Sequence, residues 1–209
     1  MTRNLDPKDL RKSVLRMARA GNSVHVACAF SLIEVVSVLY SKFVTHPQSE
    51  LSNPIRDHVI LSKGHGVMAM YAAFAKMGWL DQSHLDNYFS DGSMLHGLSE
   101  AKTPGLEVSS GSLGHGLPIA TGMALGLKRQ NTGKHVYCIV GDGELNEGSM
   151  WEAILFAGHH KLDNLTIIVD ANGFQAMGSC TSVAELEPMP AKFESFGFHA
   201  IDCDGHDLA

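Results

Sequence analysis

The stretch Val136-Tyr137-Cys138-Ile139-Val140-Gly141-Asp142-Gly143 decides the fold. A short apolar run, rich in β-branched and aromatic residues, ends in an aspartate between two glycines. A run this short, bounded by glycine, predicts a buried strand over Val136–Val140 rather than a helix. Trp151 to His160 then carries a helical pattern, with Ile154, Leu155 and Ala157 set inward. A second apolar run, Leu165 to Val169, predicts another buried strand and ends in Asp170-Ala171-Asn172. Strand, helix and strand in this order predict parallel pairing through a helical crossover.

Working outward, Val59 to Leu61 is a further short buried strand. It runs into Ser62-Lys63-Gly64-His65-Gly66, and a helix follows to Met77, stopped by Gly78. Pro118 fits the first turn of a helix reaching about Gln130. Near the N-terminus a helix from Pro7 to Ala20 puts Leu10, Val14 and Met17 on one face, with Gly21 as its stop. Another helix is predicted to open at Ser31, where Ser31 and Glu34 have capping-box spacing and Ile33, Val36 and Tyr40 continue the pattern. Ala191 to Phe196 predicts a short helix stopped at Gly197, and Phe198 to Ile201 a last strand. The fold class expected is α/β: a doubly wound, mainly parallel sheet with helices on both faces, in a single domain over residues 1–209.

Composition narrows the function. The chain has 209 residues, 16 Lys+Arg against 22 Asp+Glu, and a formal net charge of -6. That balance speaks against a nucleic-acid binder, which needs a basic face. Only 18% of residues are charged and 44% are hydrophobic, so a sizeable core forms and some surface is expected to be covered by another chain. The longest apolar run, Val67 to Ala75, is nine residues, against the roughly 20 that a bilayer span needs. With no apolar stretch of signal-peptide type in Met1–Leu10, the sequence reads as cytoplasmic and without membrane partners. Cys28, Cys138, Cys180 and Cys203 form no CxxC pair, so neither a disulfide framework nor a zinc knuckle is expected, and Cys138 reads as a core thiol.

Ligands of open α/β sheets bind outside the carboxyl ends of the strands. Asp142 and Asn172 each stand just past such an end, and adjacent strands bring them close. A carboxylate and an amide oxygen are hard ligands suited to Mg²⁺ or Ca²⁺, and Mg²⁺ completes its octahedron with water and phosphate oxygens. Gly141 and Gly143 let backbone amides approach a diphosphate, with a helix start adding a favourable dipole. The competing reading is a tight turn with Asp142 as a helix cap. From Ser90 to Gly116, Gly, Ser, Thr and Pro dominate around His96 and His115, and a loop of that length is uncommon in a compact domain unless it is functional.

These residues carry a family resemblance. GDGELNEG followed by DANGFQ resembles the thiamine diphosphate motif of GDG, a spacer and Asn; here 28 residues separate Gly143 from Asn172. SKGHG (62–66), TPGLEVSSGSLGHGL (103–117) and DGHD (204–207) narrow the resemblance to the N-terminal, diphosphate-binding module of transketolases, and within them to the separately encoded N-terminal subunit of two-chain forms. It runs from about residue 9 to the end.

The resemblance implies a thiamine diphosphate-binding fold and roles at matching positions. Asp142, Asn172 and the Phe174 carbonyl would ligate Mg²⁺, for which Ca²⁺ or Mn²⁺ could substitute. His65, Gly141 and Gly143 would approach the diphosphate, with Gly143 giving its N–H. Leu113 and Gly114 fall among the cofactor-binding residues, Gly114 where the family's backbone meets the aminopyrimidine ring. His25 and His96 match catalytic histidines that contact the donor sugar, and Glu147 an acidic residue near the dimer interface. The segment Ser23-Val24-His25-Val26-Ala27 departs from the family's Ser-Gly-His-x-Gly.

Each assignment has a plainer counterpart: a solvated histidine at His96, a helix-flanking one at His25, packing under the loop at His115, and a first-turn acid at Glu147. His159 and His160 fit a helix end or solvent, and His46, His58, His84, His135 and His199 take no role.

The implied reaction is transfer of a two-carbon ketol unit from a ketose phosphate to an aldose. The Glu that activates the cofactor sits in the family on a pyrimidine-binding module, which this chain lacks. The implied partner is a C-terminal transketolase subunit, in a heterotetramer. Family N-terminal subunits continue past the DGHD segment, so the sequence reads as a short form or a truncated chain. The alternatives are another thiamine diphosphate enzyme subunit, similar to deoxyxylulose-phosphate synthase, or a non-catalytic module that only binds a partner.

Overall fold

The computed structural model describes residues 5–21, 25–45, 51, 53 and 56–208. Ser23, Val24 and His46 therefore lie outside the described residues. The chain divides into two compact units, one built from Met1–Pro54, Gly64–Gly111 and Gly205–Ala209, the other from Ile55–Lys63 and Ser112–Asp204.

The first unit is helical. Helix α1 spans Pro7–Gly21 and buries Leu10, Val14 and Met17, the spacing that puts three side chains on one face. Short helices α2 (Val26–Ser31) and α3 (Ile33–Val38) follow, and a π-helical turn, Leu39–Phe43, extends α3. Helix α4, Met68–Met77, lies at the centre, buried at every position from Met68 to Phe74. An apolar helix of this kind needs cover all round, and α1, α2, α3 and α5 (Gln82–Asp86) all pack on it. Gly78 ends α4 with φ 76, the left-handed conformation expected of a glycine stop.

The helix predicted to open at Ser31 is corrected by the structure. Helix begins five residues earlier, at Val26, and Ser31 closes its first segment, without a side-chain cap at either segment's start. The reason is Glu34. Its carboxylate, buried, takes a two-pronged ion pair from Arg11, Nη1 to Oε1 at 2.6 Å and Nη2 to Oε2 at 2.8 Å. Paired charges at that geometry outweigh one neutral capping bond. His206 Nδ1, in the DGHD segment, stands 3.1 Å from the same carboxylate.

The second unit holds the sheet. Strands β1 (His58–Leu61), β2 (Val136–Gly141) and β3 (Leu165–Asp170) lie in that order, all parallel. Gly141 pairs with Asp170 at their carboxyl ends. Helix α6 (Gly116–Arg129) packs on the sheet and α7 (Gly148–His159) on α6. After β3 come a small antiparallel pair, β4 (Phe174–Gln175) with β5 (Gly178–Ser179), then α8 (Cys180–Val183) and α9 (Met189–Ser195). Cys138 is fully buried, as expected of a core thiol. Among the described residues no helix is long and apolar enough to cross a membrane.

Three expectations fail here. β3 forms, but only Leu165 is buried and the rest is half-exposed or exposed, whereas β1, the other edge strand, is buried throughout. Leu155 is 57% exposed while Ile154 and Ala157 are buried, since one residue turns the helix by about 100°. No strand forms at Phe198–Ile201. The Phe198 N–H instead donates to the Phe193 carbonyl, closing α9 behind Gly197 at φ 87, and Ile201 is 74% exposed.

Two close approaches depend on glycine. A Cβ on Gly116 would meet Ser62 Cα at 2.5 Å, so the start of α6 rests against the β1 turn. A Cβ on Gly158, in α7, would overlap the Phe196 carbonyl oxygen at the end of α9.

Candidate functional site

Asp142 follows β2 and is 4% exposed. Its Oδ1 accepts the Gly143 N–H at 2.8 Å and its Oδ2 the Gly173 N–H at 2.7 Å. It caps the short 3₁₀ turn Gly143–Asn146, so the plainer reading is realised in the geometry. It does not exhaust it. Among the described residues no basic side chain pairs with this buried carboxylate. A buried anion held only by neutral donors fits a cation. The Cys180 thiol also donates to it; burial first, then this bond, push the Cys180 pKa up to about 11.

Asn172 lies beside it in the turn after β3. Its Oδ1 accepts the Phe174 N–H at 2.9 Å and its Nδ2 donates to Asp170 Oδ2 at 3.3 Å. Among the described residues no group of three or more His, Cys, Asp or Glu side chains could hold a metal. The donors present here, one carboxylate and one amide oxygen, are hard oxygen groups of the kind that suits Mg²⁺.

The glycines are placed tightly. A Cβ on Gly143 would meet Gln175 Cβ at 2.7 Å. The Gly143 N–H already serves Asp142, so it reaches a diphosphate oxygen only if Oδ1 turns to a cation. Gly114, at φ 85, donates its N–H to Glu144 Oε1 at 3.0 Å and accepts from Ser149 Oγ at 2.7 Å. Leu113 beside it is half-buried, while His115 and Glu147 are exposed.

Sequence reasoning passed over four residues. Glu144, 2% exposed, accepts from Ser62 Oγ at 2.6 Å, the Gly114 N–H and the Gly141 N–H at 3.3 Å. Lys63 Nζ sits 2.5 Å from Asp170 Oδ2, with both side chains buried. Cys180 is the fourth. The one signal available was Asp170, a charged residue closing an apolar strand.

His25, His65 and His96 belong to the helical unit. His25, which precedes α2, and His65 bring their rings to 5.4 Å between centroids. His96 is apart from this pair in its contacts. Its Nδ1 faces Glu100 Oε1 at 2.7 Å and its Nε2 the Ser93 carbonyl at 3.0 Å.

Comparison with known proteins bears on the family and the fold. Residues 8–209 match the family described as transketolase, thiamine diphosphate binding domain. The chain is 39% identical over 199 residues to one of the separately named subunits of apulose-4-phosphate transketolase from Actinobacillus succinogenes, covering 95% of this chain and 72% of that protein. Over 184 residues it is 38% identical to the 6-deoxy-6-sulfo-D-fructose transketolase subunit SqwG of a Clostridium species, covering 88% of this chain and 67% of that one. The crystal structure of Campylobacter jejuni transketolase superposes with a TM-score of 0.91 at 30% identity, covering 98% of this chain. The chain spans only 33% of that enzyme. By the matched domain and by these relatives, the chain belongs to the transketolase family, as a thiamine diphosphate binding domain with its α/β fold.

Proposed function

We propose that this chain is the diphosphate-binding subunit of a two-chain, cytoplasmic transketolase, active with a C-terminal subunit that carries the pyrimidine-binding module. The observation that carries this reading is Asp142, a buried carboxylate without a basic partner among the described residues, set beside Asn172 at the sheet's carboxyl edge. The likeness to chains named as single subunits of multi-chain transketolases supports the two-chain form over a deoxyxylulose-phosphate synthase or a non-catalytic module.

Asp142, Asn172 and the Phe174 carbonyl hold Mg²⁺, and Gly141, Gly143, Leu113, Gly114 and His65 bind the cofactor. Thiamine diphosphate, when bound, supplies the carbanion chemistry of two-carbon transfer from a ketose phosphate to an aldose. His25 and His96 hydrogen-bond donor hydroxyls and move protons there. Mixing the chain with its C-terminal subunit, Mg²⁺ and thiamine diphosphate yields ketol transfer; no transfer from any ketose phosphate to any aldose overturns the reading.

The subunits associate, two copies of each. Few residues are charged, and Leu155 and Phe156 on α7 expose 57% and 42% of their surface. Sedimentation of the mixture gives one heteromeric species; a persistent monomer contradicts this.

His96→Ala acts on the donor and leaves thiamine diphosphate affinity nearly unchanged. His96 faces Glu100 and Ser93, so one ring nitrogen must exchange a protein partner for a sugar hydroxyl. Losing that bond lowers kcat/KM on the order of 3- to 100-fold. Wild-type kinetics with weakened cofactor binding places His96 at the diphosphate instead.

A further inference from the structure

We infer that the buried Lys63–Asp170 ion pair is a positioning device that orients the amide of Asn172 toward a bound cation. The inference rests on the metal site proposed above and assigns residues which that proposal does not use.

The topology sets the pair in place. Lys63 follows β1 by two residues and Asp170 ends β3, with β2 between them. The Lys63 side chain crosses the end of the middle strand, where a Cβ on Gly141 would stand 3.6 Å from Lys63 Cδ. It meets Asp170 Oδ2 at 2.5 Å. The side chains are 3% and 8% exposed. A buried pair of this kind is poor stability material, since desolvation offsets its attraction and apolar replacements are often neutral or better. Stability alone therefore gives no reason for two charges at this spot.

The reason lies one contact further. Asp170 Oδ2 also accepts from Asn172 Nδ2 at 3.3 Å, while Asn172 Oδ1 takes the Phe174 N–H at 2.9 Å. An amide has two nearly isosteric ends, and only the oxygen can ligate a cation. Asp170 holds the NH₂ end, so Oδ1 is the end left for the metal. Lys63 holds Asp170 and balances its charge. Lys63 and Asp170 act on the metal through Asn172, as outer partners of ligands do in metal sites generally.

The test measures Mn²⁺ binding by electron paramagnetic resonance, in the two-subunit assembly with thiamine diphosphate present. Asp170→Asn weakens Mn²⁺ binding about 10- to 100-fold. In an Asn172→Ala background the same change costs less than about twofold, because its route is already gone. Equal losses in both backgrounds, or no loss in either, overturn the inference. Lys63→Arg keeps Mn²⁺ affinity within about threefold of wild type, since the charge and the pair persist. If Asp170→Asn fails to fold, the double variant Lys63→Met with Asp170→Leu removes both charges together; wild-type Mn²⁺ affinity there overturns the inference, and a 10- to 100-fold loss with an unchanged melting temperature supports it. Asp142→Ala in the same assay separates the two claims. If it too leaves Mn²⁺ binding intact, the metal site is misplaced; if it alone abolishes binding, only the role of the ion pair falls.

Discussion

Asp142→Ala abolishes metal-dependent binding of thiamine diphosphate, with affinity falling by at least about 100-fold, or ~2.7 kcal/mol. Asp142 is the only anion among the three proposed ligands, so the variant leaves a divalent cation held by an amide and a backbone carbonyl. The loss is compounded locally. The Gly143 and Gly173 N–H groups both donate to this carboxylate, and the turn carrying Asn172 is tied to β2 through the second of them. Removing the side chain therefore deletes one ligand and loosens the next. Titration calorimetry at saturating Mg²⁺ checks this. Affinity equal to wild type would show that the cation, if any, binds elsewhere.

Glu144→Ala produces the largest loss of folding stability. The carboxylate is almost fully buried and accepts three hydrogen bonds, from Ser62 Oγ, the Gly114 N–H and the Gly141 N–H. Alanine leaves three buried donors without that acceptor, each costing about 1–3 kcal/mol, and a void as well. A total of at least ~3 kcal/mol lowers the melting temperature by about 6–12 °C in a chain of this size. Glu144→Gln falls between the two, because it keeps one accepting oxygen. Differential scanning calorimetry decides the matter: a shift of under about 2 °C for the alanine variant would mean that water or neighbouring groups replace all three bonds.

The strands and the long helices were legible because each is a local pattern. The apolar runs at 59–61, 136–140 and 165–169 and the stops at Gly78 and Gly197 needed no partner to be recognised. The misreadings have separate causes: a distant ion pair at Glu34, a helix-closing bond five positions back at Phe198, and the 100° turn per residue at Leu155. Ser31 and Glu34 had capping-box spacing, yet Glu34 pairs with Arg11, 23 positions away. Phe198 to Ile201 had the composition of a strand, but its first N–H closes α9 and, among the described residues, no strand pairs with it. The site divides likewise. Asp142 and Asn172 stood out by placement after strand ends, while Lys63 and Asp170 are 107 positions apart and mean little until the sheet sets them on either side of one strand.

The contact between Gly158 and the Phe196 carbonyl has a consequence for how the sequence can drift. The two helix ends touch backbone against side-chain void, with no room for even a methyl group. Trp151, one face along α7, stacks near Phe193 and Phe196, so the spacing between the helices is set by aromatic rings on one side and by an absent side chain on the other. A lineage that replaces Gly158 must also re-route the chain after Phe193. These two segments, more than 30 positions apart, can therefore change only together, and a homologue with a larger residue at 158 should carry a compensating insertion or a smaller aromatic set in α9.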